Sequence, residues 1–259
     1  MFRRLTEAIL PFIMKVMVHR KETLSAKAKK AQEAFINKLQ SEIGLVKRRT
    51  RKPTVIAFFG LVGSGKSSVA QELARQIGGV VIEGDAIRVE LRKVGEVYSY
   101  GERRQYSYVR QIAENVALEI SKRGGNVIFD ADFADMKKRA SLKAKITKVG
   151  AELVFIRTHA DPEVMFGRML SASYRNSPDD FFGGAKTTMK GGTEQQRGAV
   201  IKFREMWRRT PHHYQWSSIG GGRWFLKSPP VRLLANVDTT EPAKWKEEVK
   251  KLAQKLINL

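Results

Sequence analysis

Gly60-Leu61-Val62-Gly63-Ser64-Gly65-Lys66-Ser67 fits the phosphate-binding pattern G-x-x-x-x-G-K-[ST], and its flanks give that pattern mechanical meaning. Before it, Thr54-Val55-Ile56-Ala57-Phe58-Phe59 is an apolar, β-branched and aromatic run, which reads as a buried parallel strand. After it, Val69, Leu73 and Ile77 repeat at helical spacing until Gly78-Gly79 ends the pattern. Glycines at 60, 63 and 65 let backbone N–H groups turn inward around phosphate oxygens, at a helix N-terminus that already favours anions. Gly60, Gly63, Ser64, Gly65, Lys66, Ser67 and Ser68 are therefore the candidate nucleotide-binding residues. Lys66 can reach the β- and γ-phosphates, and the Ser67 hydroxyl can ligate Mg²⁺. A nucleoside triphosphate, with ATP and Mg²⁺ as the expected cofactors, is the first functional expectation.

Working outward, 259 residues suit one sizeable α/β domain plus an extension. The absence of cysteine excludes disulfides and cysteine-ligated zinc, and fits a reducing cytoplasm. A net charge of +22 predicts attraction to polyanions such as RNA, DNA or an anionic membrane surface. Residues 1–52 hold 14 Lys and Arg against 4 Glu. Within them Leu24, Ala28, Ala31, Phe35, Leu39 and Ile43 share one helical face. This basic helical extension has three readings: packing against its own domain, an arm on nucleic acid, or a peripheral membrane contact. Phe2, Leu5, Ile9, Phe12, Ile13 and Val16 could line a second amphipathic helix, bent at Pro11. The apolar stretch from Ala8 to Val18 is too short to span a bilayer, and no small-residue cleavage site follows it. The basic run from Lys47 to Pro53 reads as a linker into a domain covering 53–259.

From Lys52 onward strands and helices alternate, which argues for a parallel sheet covered on both faces. Further strands are expected at Val80–Ile82, Asn126–Asp130, Leu153–Ile156 and Val231–Ala235, and helices at about 102–122 and 135–149. Asp161-Pro162-Glu163 starts another helix, with Asp161 as N-cap. In open α/β sheets, sites form outside the carboxyl ends of strands, and Asp85 lies at one beside the glycine loop. A carboxylate there can accept the proton of an attacking hydroxyl, while Arg88 can hold an anionic substrate. The alternative is that Asp85 only caps the following helix. Asp130 either assists Mg²⁺ through water or is structural.

The order Gly60–Ser67, Asp85-x-x-Arg88, Asp130-Ala131-Asp132 and an arginine helix resembles the small P-loop kinases. These include polynucleotide 5′-hydroxyl kinases, adenylylsulfate kinases, gluconate kinases and zeta-type toxins, within the wider AAA-like ATPase class. The resemblance covers roughly residues 53–175 and the final strand. It implies a P-loop NTPase three-layer sandwich with a parallel sheet of about five strands, and transfer of the ATP γ-phosphate to a hydroxyl. It also implies Asp85 as base, Arg88 as substrate-binding arginine and Arg168 as lid arginine. The stretch Ile82–Arg88, with Arg103 or Arg104 and the helix through Arg110, looks particularly like adenylylsulfate kinase. That family's serine-proline segment is replaced here by Phe129-Asp130-Ala131-Asp132-Phe133, which places Asp132 among the candidate substrate contacts. Many ATP-hydrolysing machines carry a Glu straight after the strand's Asp, and here Ala131 follows Asp130. No Asn-Lys-x-Asp guanine motif occurs, and Asp180-Phe181-Phe182-Gly183 lies in a polar loop.

Arg168 and Arg175 are seven residues apart on one helical face, ahead of a glycine-bracketed stretch to about residue 200. That segment reads either as an arginine-bearing lid or as an ordinary basic helix and loop. In the insertion at about 200–230, Arg204, Arg208 and Arg209 are interleaved with Phe203, Trp207, His212, His213, Tyr214 and Trp216. This stretch could clamp phosphates and stack bases; alternatively, Phe203 and Trp207, at i and i+4, are buried helix residues. The acceptor reading leans to a polynucleotide 5′-hydroxyl, against a small anionic metabolite or nucleotide sugar. A nucleic-acid-binding ATPase without a phosphorylated acceptor is the third reading.

Overall fold

The computed structural model describes residues 23–45, 47–96, 103–172, 189–219, 222–230 and 232–259. Strands β1 (Thr54–Phe59), β2 (Gly79–Glu83), β3 (Asn126–Asp132), β4 (Glu152–His159) and β7 (Ala235–Asp238) form one parallel sheet in the order β2-β3-β1-β4-β7. All six residues of β1 are buried, as a central strand covered on both faces requires. Its side chains alternate: Val55, Ala57 and Phe59 enter one core, Ile56 and Phe58 the other.

The second core lies under α2 (Lys66–Ile77) and α8 (Pro242–Ile257), through Val69, Leu73 and Ile77 and through Trp245, Val249 and Leu256. The first lies under α1 (Ala26–Leu45), α3 (Gly84–Lys93), α4 (Arg103–Lys122) and α5 (Met136–Lys148). The three-layer sandwich expected from the alternating pattern is the observed architecture. Asn126, buried at the start of β3, accepts hydrogen bonds at Oδ1 from Thr50 Oγ1 (2.8 Å) and Thr54 N (2.9 Å). Its Nδ2 donates to Ile77 O (3.0 Å), so one amide ties the linker, β1 and the end of α2 together.

Helix α1 takes the first of the placements left open by the sequence. Ala28, Ala31, Phe35 and Leu39 are buried in the same core as Ile82, Ile87 and Leu91. Ser25 accepts from Ala28 N and donates to Glu96, while Asn115 of α4 donates to Gln32 (2.9 Å). The apolar face of the basic extension over residues 24–39 is thus satisfied inside the domain. The amphipathic pattern from Phe2 to Val16 lies outside the described residues.

Two sequence expectations are corrected. The last strand is not Val231–Ala235 but Ala235–Asp238, because pairing with β4 begins at Ile156↔Ala235 and ends at His159↔Asp238. Trp207 is not a core residue. It lies 81 % exposed on α7 (Glu194–His213), whereas Phe203 stacks on Phe166 of α6 (Pro162–Ser171) with centroids 5.3 Å apart. Strand β5 (Tyr214–Ser217) pairs antiparallel with β6 (Arg223–Leu226) as a separate two-stranded sheet. Among the described residues no helix is long and apolar enough to cross a membrane.

Candidate active site

The glycine loop joins β1 to α2, and two of its three glycines take a left-handed backbone. Gly63 and Gly65 both sit at φ +82°, which glycine adopts without strain. A Cβ on Gly63 would stand 2.7 Å from the Met165 carbonyl, and one on Gly65 2.6 Å from Thr239 Oγ1. Lys66, the first residue of α2, donates from Nζ to the carbonyls of Gly60 (2.8 Å) and Leu61 (2.9 Å). The ammonium is therefore held over the loop at a helix N-terminus, where dipole and backbone N–H groups favour an anion. These features fit a triphosphate.

In front of the loop opens a cleft of about 560 Å³, within the usual size range of small-molecule sites. Gly63, Gly65, Lys66, Ser67 and Ser68 of the loop and α2 line it together with Asp85 and Arg88, Asp130 and Asp132, and Arg168. Gly60 and Ser64 do not line it. They face a small void behind the loop, where Ser64 Oγ lies 2.8 Å from Thr158 Oγ1. Arg103 and Arg104 open α4, but their side chains fall outside the described residues, as do Arg175, residues 173–188 of the expected lid and Asp180–Gly183.

Asp85 stands in the first turn of α3 with its side chain 48 % exposed, paired to Arg88. Glu83 is the N-cap of α3, so Asp85 is not the capping residue that the alternative reading required. The β1–β3 register slips between Ala57↔Phe129 and Phe58↔Asp132, so Asp130 and Ala131 bulge from the ladder. Ser67 and Asp130 both line the cleft, and they are the residues that could hold a Mg²⁺ ion together with bound phosphates. Among the described residues no cluster of three His, Cys, Asp or Glu forms a protein-only metal site.

Arg168 reaches from α6 to donate to the Gly63 carbonyl (3.1 Å) and to Thr239 Oγ1 (2.9 Å) and carbonyl. Burial pulls its pKa below the usual arginine value, partly opposed by the charge of Asp238. Thr239 was missed by sequence reasoning, yet its hydroxyl also bonds the Ser64 carbonyl (3.0 Å). Tyr214 was missed in this role too. It is buried, and its hydroxyl donates to Asp132 Oδ1 (3.0 Å), which also accepts from Ala134 N (3.1 Å). Burial first, and the Asp132 charge second, raise the Tyr214 pKa, so the phenol stays a donor across the physiological range. Tyr214→Phe is expected to destabilise the fold by about 1 kcal/mol, since it removes the hydrogen bond between a buried phenol and the half-buried Asp132 carboxylate. Urea unfolding checks this value.

His159, at the end of β4, lies with Nδ1 3.1 Å from the Val237 carbonyl and Nε2 3.6 Å from Asp238. Burial lowers its pKa more than Asp238 raises it. A histidine depressed in the fold binds its proton more readily when unfolded, so stability falls as pH drops through the unfolded value of about 6.5. Thermal melts are expected to lose Tm between pH 7 and 5 more steeply in the parent protein than in His159→Gln.

Residues 55–181 match the family model described as AAA domain, just under half of the chain. No curated protein matches the chain in sequence. Among solved structures, a candidate kinase from Chloroflexus aurantiacus superposes with a TM-score of 0.51 at 18% identity, covering 79% of this chain and 98% of that one. APE1195 gives 0.50 at 17% identity, with 82% and 100% covered. The Mycobacterium tuberculosis APS kinase CysC, solved with AMPPNP and APS, gives 0.49 at 18% identity, with 78% and 98% covered. The sheet order, the glycine loop and the first two superpositions agree: the chain has a P-loop NTPase α/β fold, and its residues 55–181 are similar to the AAA domain family.

Proposed function

We propose that the protein is a Mg²⁺-ATP-dependent phosphotransferase that moves the γ-phosphate to a substrate hydroxyl. The observation that carries this reading is that Asp85 stands in the same cleft as Lys66 and Ser67, just past the carboxyl end of β2, which β3 separates from the loop's own strand β1. ATP supplies the transferable phosphoryl group, and Mg²⁺ neutralises its oxygens. Lys66 and the loop N–H groups orient the phosphate chain, and Ser67 with Asp130 would hold the cation on its protein side. Asp85 takes the proton of the acceptor hydroxyl as its oxygen bonds phosphorus and ADP leaves. Arg168, tied to Gly63 and Thr239, keeps positive charge at the loop's edge. Ala131, directly after Asp130, supplies no carboxylate to activate water there, which favours an alcohol over water as the acceptor.

A polynucleotide 5′-hydroxyl is a second reading of the acceptor, supported by the net charge of +22 and the exposed Trp207 and Trp216. ADP release by the purified protein tests both. Stimulation by added small hydroxyl compounds or by 5′-hydroxyl oligonucleotides supports the reading and separates its two forms. Turnover that ignores every acceptor and follows nucleic acid binding contradicts it.

A further inference from the structure

Three side chains that line the cleft each hold a buried polar atom with no hydrogen-bond partner among the described residues: Arg88 Nε, Arg110 Nε and Glu114 Oε1. They come from adjacent helices, α3 and α4, and Arg110 and Glu114 are one helical turn apart. Glu114 is the most telling of them. Its side chain is only 1 % exposed, and its Oε2 is taken from behind by Lys145 of α5. Its Oε1 faces Arg110 Nε at 3.9 Å, beyond hydrogen-bond reach. A carboxylate oxygen and two guanidinium N–H groups removed from water without partners are an uncompensated cost, and such groups in a cleft mark where a ligand's polar atoms belong.

The signs of these groups restrict the ligand. Six Lys and Arg side chains line the cleft against four Asp and Glu, so it favours an anion. Glu114 already faces two cations, so the donor that completes Oε1 is better neutral than a third cation. A hydroxyl meets that requirement. Arg88 is bonded to Asp85, so a molecule held on Arg88 lies beside the carboxylate assigned to the acceptor's proton.

We propose that Arg110 and Glu114 form the acceptor-recognition site of the cleft, and that it takes a small polyhydroxylated anion. The anionic group sits on the Arg88 and Arg110 Nε–H donors, one hydroxyl donates to Glu114 Oε1, and another reaches Asp85. The assignment rests on the phosphotransferase reading for its last step but not for the binding itself.

Calorimetric titration of the full chain with Mg²⁺ and a non-hydrolysable ATP analogue tests it. The probes are gluconate, glucose 6-phosphate, glycerol 3-phosphate, neutral glucose and a 5′-hydroxyl hexanucleotide. At least one of the three anions is expected to bind while glucose does not. Arg110→Gln and Glu114→Gln should each weaken that anion at least tenfold and leave the nucleotide Kd within twofold. Lys145→Gln breaks the same ion pair from behind and should weaken the anion less than threefold. Arg110 is 40 % exposed, so its variant keeps the test sound even where Glu114→Gln unfolds. The proposal is overturned if none of the small anions binds, if glucose binds equally well, or if only the hexanucleotide binds. Equal effects of Glu114→Gln and Lys145→Gln would also overturn it, because Glu114 would then be structural only. Binding of an anion without phosphate transfer counts against the phosphotransferase reading alone and leaves this site standing.

Discussion

Lys66→Ala is expected to lower kcat/KM for ATP by about 10³-fold, on the order of 4 kcal/mol of transition-state stabilisation. The ammonium is held by the Gly60 and Leu61 carbonyls at the start of α2, in line with the loop it serves. Alanine removes the charge that meets the β- and γ-oxygens but leaves the loop's backbone N–H groups in place. Nucleotide binding should therefore weaken without vanishing, and the larger loss should appear in kcat. Stopped-flow binding of a fluorescent nucleotide beside steady-state turnover separates the two effects. Unchanged turnover would remove the loop from the chemistry.

Asp85→Asn gives the second large effect and the sharper one. The amide keeps size and hydrogen bonding but cannot take a proton, so transfer should fall by about 10²–10⁴-fold. ATP affinity should stay within twofold, because the proposed phosphate contacts are Lys66 and the loop N–H groups rather than Asp85. Asparagine caps helices as well as aspartate does, so a local structural role for Asp85 predicts near-normal activity instead. Since Glu83 already occupies the cap position of α3, that outcome would require a role outside both readings.

The parts of the site legible in the sequence are those in which one local constraint selects the residue. Gly63 and Gly65 are legible because a positive φ and close approach by Met165 and Thr239 exclude other side chains. Asp85 is legible because the strand before it and the loop upstream fix its place. The sandwich follows from β1's alternation between two cores and from the helical stripe of α2. Thr239, in contrast, meets Ser64 across 175 residues of sequence, and no local pattern announces that contact. Tyr214 stands in a run of arginines and aromatics that looks the same whether its rings stack on bases or fill a core. Here Tyr214 is buried against Asp132 while Trp207 is exposed, so burial sorts residues that composition does not. Arg110 and Glu114 at i and i+4 read as an ordinary solvated helix pair. Only the approach of α5, which brings Lys145 behind Glu114, turns them into the wall of a cleft. Strand β7 was displaced by three to four residues because the apolar run Val231–Leu234 precedes the register that β4 imposes.

The central claim is transfer of phosphate to an alcohol rather than to water, and the partition of a γ-phosphate label measures it directly. The protein is incubated with γ-labelled ATP, Mg²⁺ and a mixture of polyhydroxylated anions and 5′-hydroxyl oligonucleotides, with Asp85→Asn in parallel. Label is expected on an acceptor in excess of free phosphate, and is expected to be lost in the variant. Label appearing only as free phosphate, at the same rate in both proteins, would contradict the claim.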